Sequence, residues 1–188
     1  MLSHEVADFD AWKTAFDAHQ GARAAAGMLG HHLNQAEGDP NSLTIWLAVA
    51  GVEAAKEFAA SDDLKARMQE AGVTSAPSTT WMVPLRMNIV TDRAVPSMII
   101  SHSVADVDAW LESYDAAAEL QSSNGIIGHA ANRSMDDPSQ VHIYHQAESF
   151  ETLRSFLENP ELRAAMEEAG VTSAPEVTFG TGGPYVSY

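Results

Sequence analysis

The sequence predicts an α+β fold that is built twice. Three observations carry this reading. The octapeptide Glu70-Ala71-Gly72-Val73-Thr74-Ser75-Ala76-Pro77 recurs unchanged as Glu168-Ala169-Gly170-Val171-Thr172-Ser173-Ala174-Pro175. The same offset, 98 positions (168 minus 70), lays Ser3-His4 on Ser101-His102, Asp10-Ala11-Trp12 on Asp108-Ala109-Trp110, Gly30-His31 on Gly128-His129 and Asp39-Pro40 on Asp137-Pro138. Within each copy, short extended runs alternate with stretches whose apolar residues recur at helical spacing.

Leu2 to Val6 and Met98 to Val104 read as first strands, the former clipped. Asp8 and Asp106 are N-caps, because a short carboxylate accepts from the free amides of a first helical turn. Phe9, Trp12 and Phe16, matched by Val107, Trp110 and Tyr114, put one apolar face on the helix that follows, with the tryptophans in the core. Gly27 and Gly125 end it as left-handed caps. Met28 to Ala36 and Ile126 to Ser134 read as second strands, and Leu43 to Val49 and Val141 to Ala147 as third strands, joined by Asp-Pro turns. A second helix runs from about Val52 to Ala71 and from Ser149 to Ala169. It is broken at Ser61-Asp62 and Asn159-Pro160, where a capping side chain precedes a first-turn residue. Gly72 and Gly170 stop it. Thr79 to Val83 and Glu176 to Thr181 supply the last strands.

The order strand–helix–strand–strand–helix–strand is the ferredoxin-like arrangement. The predicted organisation is a first repeat over residues 1–87, a linker over 88–97 and a second repeat over 98–188. Each sheet carries apolar residues on the face away from its helices, so the two sheets are expected to pack on one another as an intramolecular pseudo-dimer, leaving the chain stable as a monomer.

Composition narrows the function classes. The net charge of −16 argues against nucleic acid or an anionic membrane as partner. No cysteine is present, which removes disulfide and thiolate chemistry and fits a cytoplasmic location. No apolar run is long enough for a bilayer, and the first strand starts so close to residue 1 that no leader is expected.

The Val6-Ala7-Asp8-Phe9-Asp10-Ala11-Trp12-Lys13 opening, the Asp-Pro hairpins and the Ala-Gly-Val-x-x-x-Pro endings resemble the dimeric α/β-barrel superfamily, in the branch of small proteins related to antibiotic-biosynthesis monooxygenases and often labelled cyclase-like. The resemblance covers nearly the whole chain and implies a fused pair of units that are usually separate. It also implies a cavity between the sheets for a small apolar or aromatic molecule, handled without a tightly held cofactor. The activities it implies are oxygen insertion, cyclisation or isomerisation. A ligand-holding or stress-associated protein without turnover is the alternative, and a haem-binding barrel is a further one.

Several polar residues on apolar strands are candidates for the site. His4 and His102 lie in first strands, and His31 and His129 in second strands, with Asn34 and Asn132 three residues on. Each histidine reads either as a proton shuttle or as a buried, hydrogen-bonded structural residue. The third strands differ between copies: Thr44, Trp46 and Ala48 are matched by His142, Tyr144 and Gln146. That face reads either as the lining of a pocket or as an edge that meets solvent. If it lines the pocket, His102 or His142 would be the base, Tyr144 and Asn132 would orient the substrate, and Trp46 would fill space in the first copy. No His-x-x-x-His or Glu-x-x-His pair marks a helical metal site, and none is expected.

Overall fold

A computed structural model describes residues 1–188. Two compact units emerge: unit 1 comprises Met1–Thr79 and Gly182–Tyr188, and unit 2 comprises Thr80–Thr181. Unit 1 contains β1 (Leu2–Glu5), α1 (Phe9–Ala18), α2 (Gln20–Ala25), β2 (Met28–Ala36), β3 (Asp39–Val49), α3 (Val52–Ala60), α4 (Asp62–Glu70) and β4 (Ser78–Thr79). Unit 2 contains β5 (Met82–Asn88), β6 (Val95–Ser103), α5 (Val107–Ala116), α6 (Ala118–Ser123), β7 (Ile126–Ser134) and β8 (Gln140–Ala147). It continues through α7 (Phe150–Leu157), α8 (Pro160–Glu168) and β9 (Glu176–Gly182), and β10 (Val186–Ser187) returns to unit 1. No helix is long and apolar enough to cross a membrane.

The strand orders are β4-β1-β3-β2-β10 in unit 1 and β9-β6-β8-β7-β5 in unit 2. The first four strands of each order are the ferredoxin-like sheet that the sequence predicts. Local chemistry sets its elements. Asp8 accepts from Ala11 N and Asp106 from Ala109 N, at 2.8 and 2.9 Å. Ser61 caps α4, and Asn159 caps α8 ahead of Pro160. The first helix of each copy is two short helices, bent at His19 and at Ala117, where the backbone leaves the helical region. No proline or glycine sits at either bend, so nothing local announces it.

The duplicated octapeptide is a clasp. Val73 bridges Val6, Thr74 N donates to Glu5 O, and Glu5 N donates to Ser75 Oγ. Val171, Thr172 and Ser173 repeat this on Val104 and Ser103. The motif thus ties the end of each second helix to the end of each first strand, which gives it a structural reason to be identical in both copies.

The compact units and the sequence repeats have different boundaries. The last strand of the first repeat runs on to Asn88 and pairs with β7, from Met82 opposite Ser134 to Asn88 opposite His129. Val186 pairs with His31 in the corresponding place in unit 1. Each ferredoxin-like sheet leaves its second strand with unpaired backbone groups, and a strand from the far end of the other repeat satisfies them. Residues expected as linker are also pinned: Val90 N donates to Gln146 Oε1 at 2.7 Å, and Gln146 Nε2 donates to Val90 O at 3.2 Å. Gly128 permits this clamp, because a Cβ there would clash with Gln146 Oε1.

The core of unit 2 joins Met98, Ile100, Val104, Ile143 and Ala147 of the sheet to Trp110, Leu153 and Phe156 of the helices. Unit 1 has a smaller core of Val6, Trp12, Leu33, Leu43 and Ile45.

Candidate functional site

A cavity of about 50 Å³ lies in unit 2 between the sheet and its helices. Strand alternation supplies the floor: Ile100 and His102 from β6, and Ile143 and His145 from β8. Trp110, Ser113 and Tyr114 share one face of α5 by their spacing of three and four, and Gln121 enters from α6. Leu162, Ala165 and Met166 of α8 form the cover, and α8 has no buried residue of its own.

The lining holds no formal charge, and its polar groups are two imidazoles, a phenol, an indole, an amide and a hydroxyl. His102 meets the ring of Trp110 edge-on at 6.1 Å. His145 lies parallel to Tyr114 and edge-on to Phe156. Both ring nitrogens of His102 and both of His145 are buried without a hydrogen-bond partner. Burial lowers His102 to about 4, reinforced by His142, and lowers His145 to about 3, reinforced by His129. Both imidazoles are therefore neutral at pH 7. The Tyr114 hydroxyl sits 2.9 Å from His129 Nδ1 and is also hydrogen-bonded by Gln121. Burial raises the Tyr114 phenol, so it stays protonated.

Of the residues the sequence singles out, the structure brings His102 to this cavity and places His129 behind Tyr114. His142, Tyr144, Gln146 and Asn132 are buried on the opposite face of the same sheet. His142 Nδ1 is 2.8 Å from Ser101 Oγ, Asn132 Nδ2 donates to His142 O, and Gln146 is committed to Val90. The sequence pattern places the ligand face here, whereas the cavity of unit 2 lies on the other face. In unit 1, His4 and His31 face the helices, against Trp12 and Phe16 respectively. His32, Asn34 and Trp46 lie on the face away from them, as the pairing of His32 with Trp46 and of Asn34 with Thr44 requires.

Sequence reasoning did not select Tyr114, Gln121 and His145. The signal was present in the copy comparison, where they correspond to Phe16, Arg23 and Leu47. No three His, Asp or Glu side chains converge closely enough to hold a metal ion.

No protein-family model and no curated protein matches the sequence. Solved structures do. An anthrone oxidase-like protein superposes with a TM-score of 0.69 at 13% identity, over 99% of this chain and 91% of that one. A candidate monooxygenase from Lactobacillus acidophilus NCFM gives 0.64 at 12% identity, over 99% and 94%. A ferredoxin-fold protein related to antibiotic-biosynthesis monooxygenases, from Listeria monocytogenes 4b F2365, gives 0.55 at 9% identity, over 98% and 95%. Identities this low establish the fold, which is that of the monooxygenase-related ferredoxin-like proteins.

Proposed function

Starting from that fold, we propose that unit 2 binds a small, mostly apolar ring compound bearing one acidic hydroxyl or enolisable carbonyl, and accepts its proton at His102. The observation that carries this is the pair of neutral, unpartnered imidazoles facing an otherwise uncharged cavity. A buried acceptor left unpaired costs about 1–3 kcal/mol, and a hydroxylated ligand would recover that cost.

With the Nδ1–H tautomer of His129 donating to Tyr114, the phenol hydrogen is free to reach the ligand oxygen, and His145 closes the opposite side. An imidazole lowered to about 4 is a weak base toward a neutral acid. Proton transfer, however, creates an anion beside the new imidazolium, and that opposite charge offsets the burial penalty. The names carried by the structural neighbours suggest an oxidation as the next step, since an electron-rich ring anion is the kind of species that molecular oxygen can oxidise without a cofactor. The rival reading, a protein that holds its ligand without turnover, draws on the low basicity of His102.

The cavity is smaller than the roughly 150 Å³ of an engineered site that takes benzene. Admitting a ring therefore means lifting α8, whose residues are all partly or fully exposed. Anthrone and 1-naphthol are suitable probes, followed by fluorescence for binding and by oxygen uptake for turnover. His102→Gln should lower turnover by about 10²–10⁴, and Tyr114→Phe should weaken binding by about tenfold. Binding that both variants leave unchanged would place the ligand elsewhere. Binding lost in both, with no oxygen uptake in the parent, would favour the holding role.

A further inference from the structure

The counterpart of this pocket in unit 1 contains a buried cation. Arg23 is 4% exposed and has no carboxylate partner, in a chain of net charge −16. Its Nε donates to the Tyr188 hydroxyl at 2.6 Å and one terminal nitrogen donates to Phe16 O at 2.6 Å. The other terminal nitrogen is buried without a hydrogen-bond partner. The guanidinium lies 3.6 Å over the Phe16 ring and 5.0 Å from that of Tyr188. His31, whose Nδ1 is also unpartnered, stands 5.5 Å from the Tyr188 ring. The nearby charges are balanced among themselves, because Lys13 is already paired with Asp17 on α1.

A buried guanidinium is costly unless an anion meets it, and its fork is shaped for a carboxylate. Here the acceptors are a phenol and a carbonyl, both neutral. The phenol belongs to a short segment whose β10 residues are exposed and which runs along β2. We propose that unit 1 is a second ligand site, specific for a small aromatic carboxylate, and that Tyr188 occupies it in this structure. The ligand's carboxylate would take the place of the phenol oxygen on Arg23 and engage the free nitrogen as well. Its ring would replace that of Tyr188 between Arg23 and His31. This site shares no residue with the His102 pocket, so either assignment can fail alone.

Benzoate binding measured by calorimetry tests it on the full chain. Tyr188→Ala should bind one benzoate at least tenfold more tightly than the parent, and adding Arg23→Gln, which installs the residue that unit 2 carries at Gln121, should abolish the gain. Tyr188→Phe guards against a misfolded alanine variant: it keeps the ring but removes the acceptor, and should bind formate more tightly than the parent, again only with Arg23 present. Folded variants that gain no affinity, or a gain that survives Arg23→Gln, would overturn the proposal.

Discussion

The same architectural position is filled in one unit and open in the other. In unit 1 the position holds Phe16, Arg23 and Leu47: the guanidinium stacks on the phenylalanine and donates to the Tyr188 hydroxyl. In unit 2, Tyr114, Gln121 and His145 stand at the same three positions, and Val90, its backbone bonded by Gln146, corresponds in sequence to Tyr188. His4 and His102 are common to both and meet Trp12 and Trp110 in the same edge-on way. The comparison separates what the fold needs from what is particular to one pocket. The histidine–tryptophan contact belongs to the scaffold, and in unit 2 it borders a cavity ringed by further polar groups. A duplicated chain can keep its packing twice while presenting two different sites.

The largest expected effect comes from acid. Seven of the eight histidines have lowered pKa values: His4, His31 and His32 in unit 1, and His102, His129, His142 and His145 in unit 2. Each is neutral in the fold and free to protonate when unfolded. Their contribution is complete above pH 6.5 and is withdrawn as pH falls toward 4, because the unfolded chain then binds more protons. Each fully effective histidine removes about 1.4 kcal/mol per pH unit in that window. Several acting together exhaust a stability of about 5–15 kcal/mol within a unit or two. Circular dichroism should show cooperative unfolding between pH 6 and 4. Hydrogen exchange should show both units loosening in this window, since each holds at least two histidines lowered to about 4 or about 3. A chain that stays folded at pH 4 would contradict this.

Second in size is a transplant of one pocket into the other. Tyr114→Phe and His145→Leu install the residues of unit 1 at two of the three positions; Gln121 is kept, because Arg23 relies on the Tyr188 hydroxyl and the counterpart of Tyr188 in unit 2 is Val90. The double variant keeps the lining uncharged, should fold, and should lose naphthol binding by about 10²-fold, or roughly 2.7 kcal/mol. Retained binding would mean that the cavity under α8 is not the ligand site.

How much of this was legible depends on the range of each interaction. Asp8, Asp106, Ser61 and Asn159 announce helix starts because a cap acts on amides two or three residues away. The octapeptide announces itself by repetition. The partner of Met82–Asn88 is not legible, because it lies on β7, more than forty residues further on, and a strand's own residues do not name the edge they will fill. The third strands were readable as a polar face against an apolar one. Which face meets the helices depends on Ile143 packing with Trp110 and Phe156, contacts that no local pattern encodes. The pattern alone therefore favours His142 and Tyr144 over His145. Gln146 reads as a ligand group because it shares a strand face with His142 and Tyr144. What it bonds is the backbone at Val90, visible only once Gly128 has let the two approach.

The smallest effect should be equal in the two units, and that equality is its value. Ser75 and Ser173 each accept from the backbone amide of a first-strand residue, Glu5 at 2.8 Å and Ser103 at 2.9 Å. Both amides lie in partly exposed surroundings, so water can replace part of a lost bond. Ser75→Ala and Ser173→Ala should each cost about 0.5–1.5 kcal/mol by denaturant titration, the usual net worth of one hydrogen bond. The two values should agree within about 0.5 kcal/mol, and the double variant should show their sum, since the sites share no partner. Neither change should alter ligand binding in unit 2, because neither serine lines the cavity. If Ser173→Ala weakened binding while Ser75→Ala did not, the clasp would be coupled to the pocket through Ala169, the cavity residue that precedes Gly170. The octapeptide would then be more than a scaffold element in the unit that keeps its pocket open.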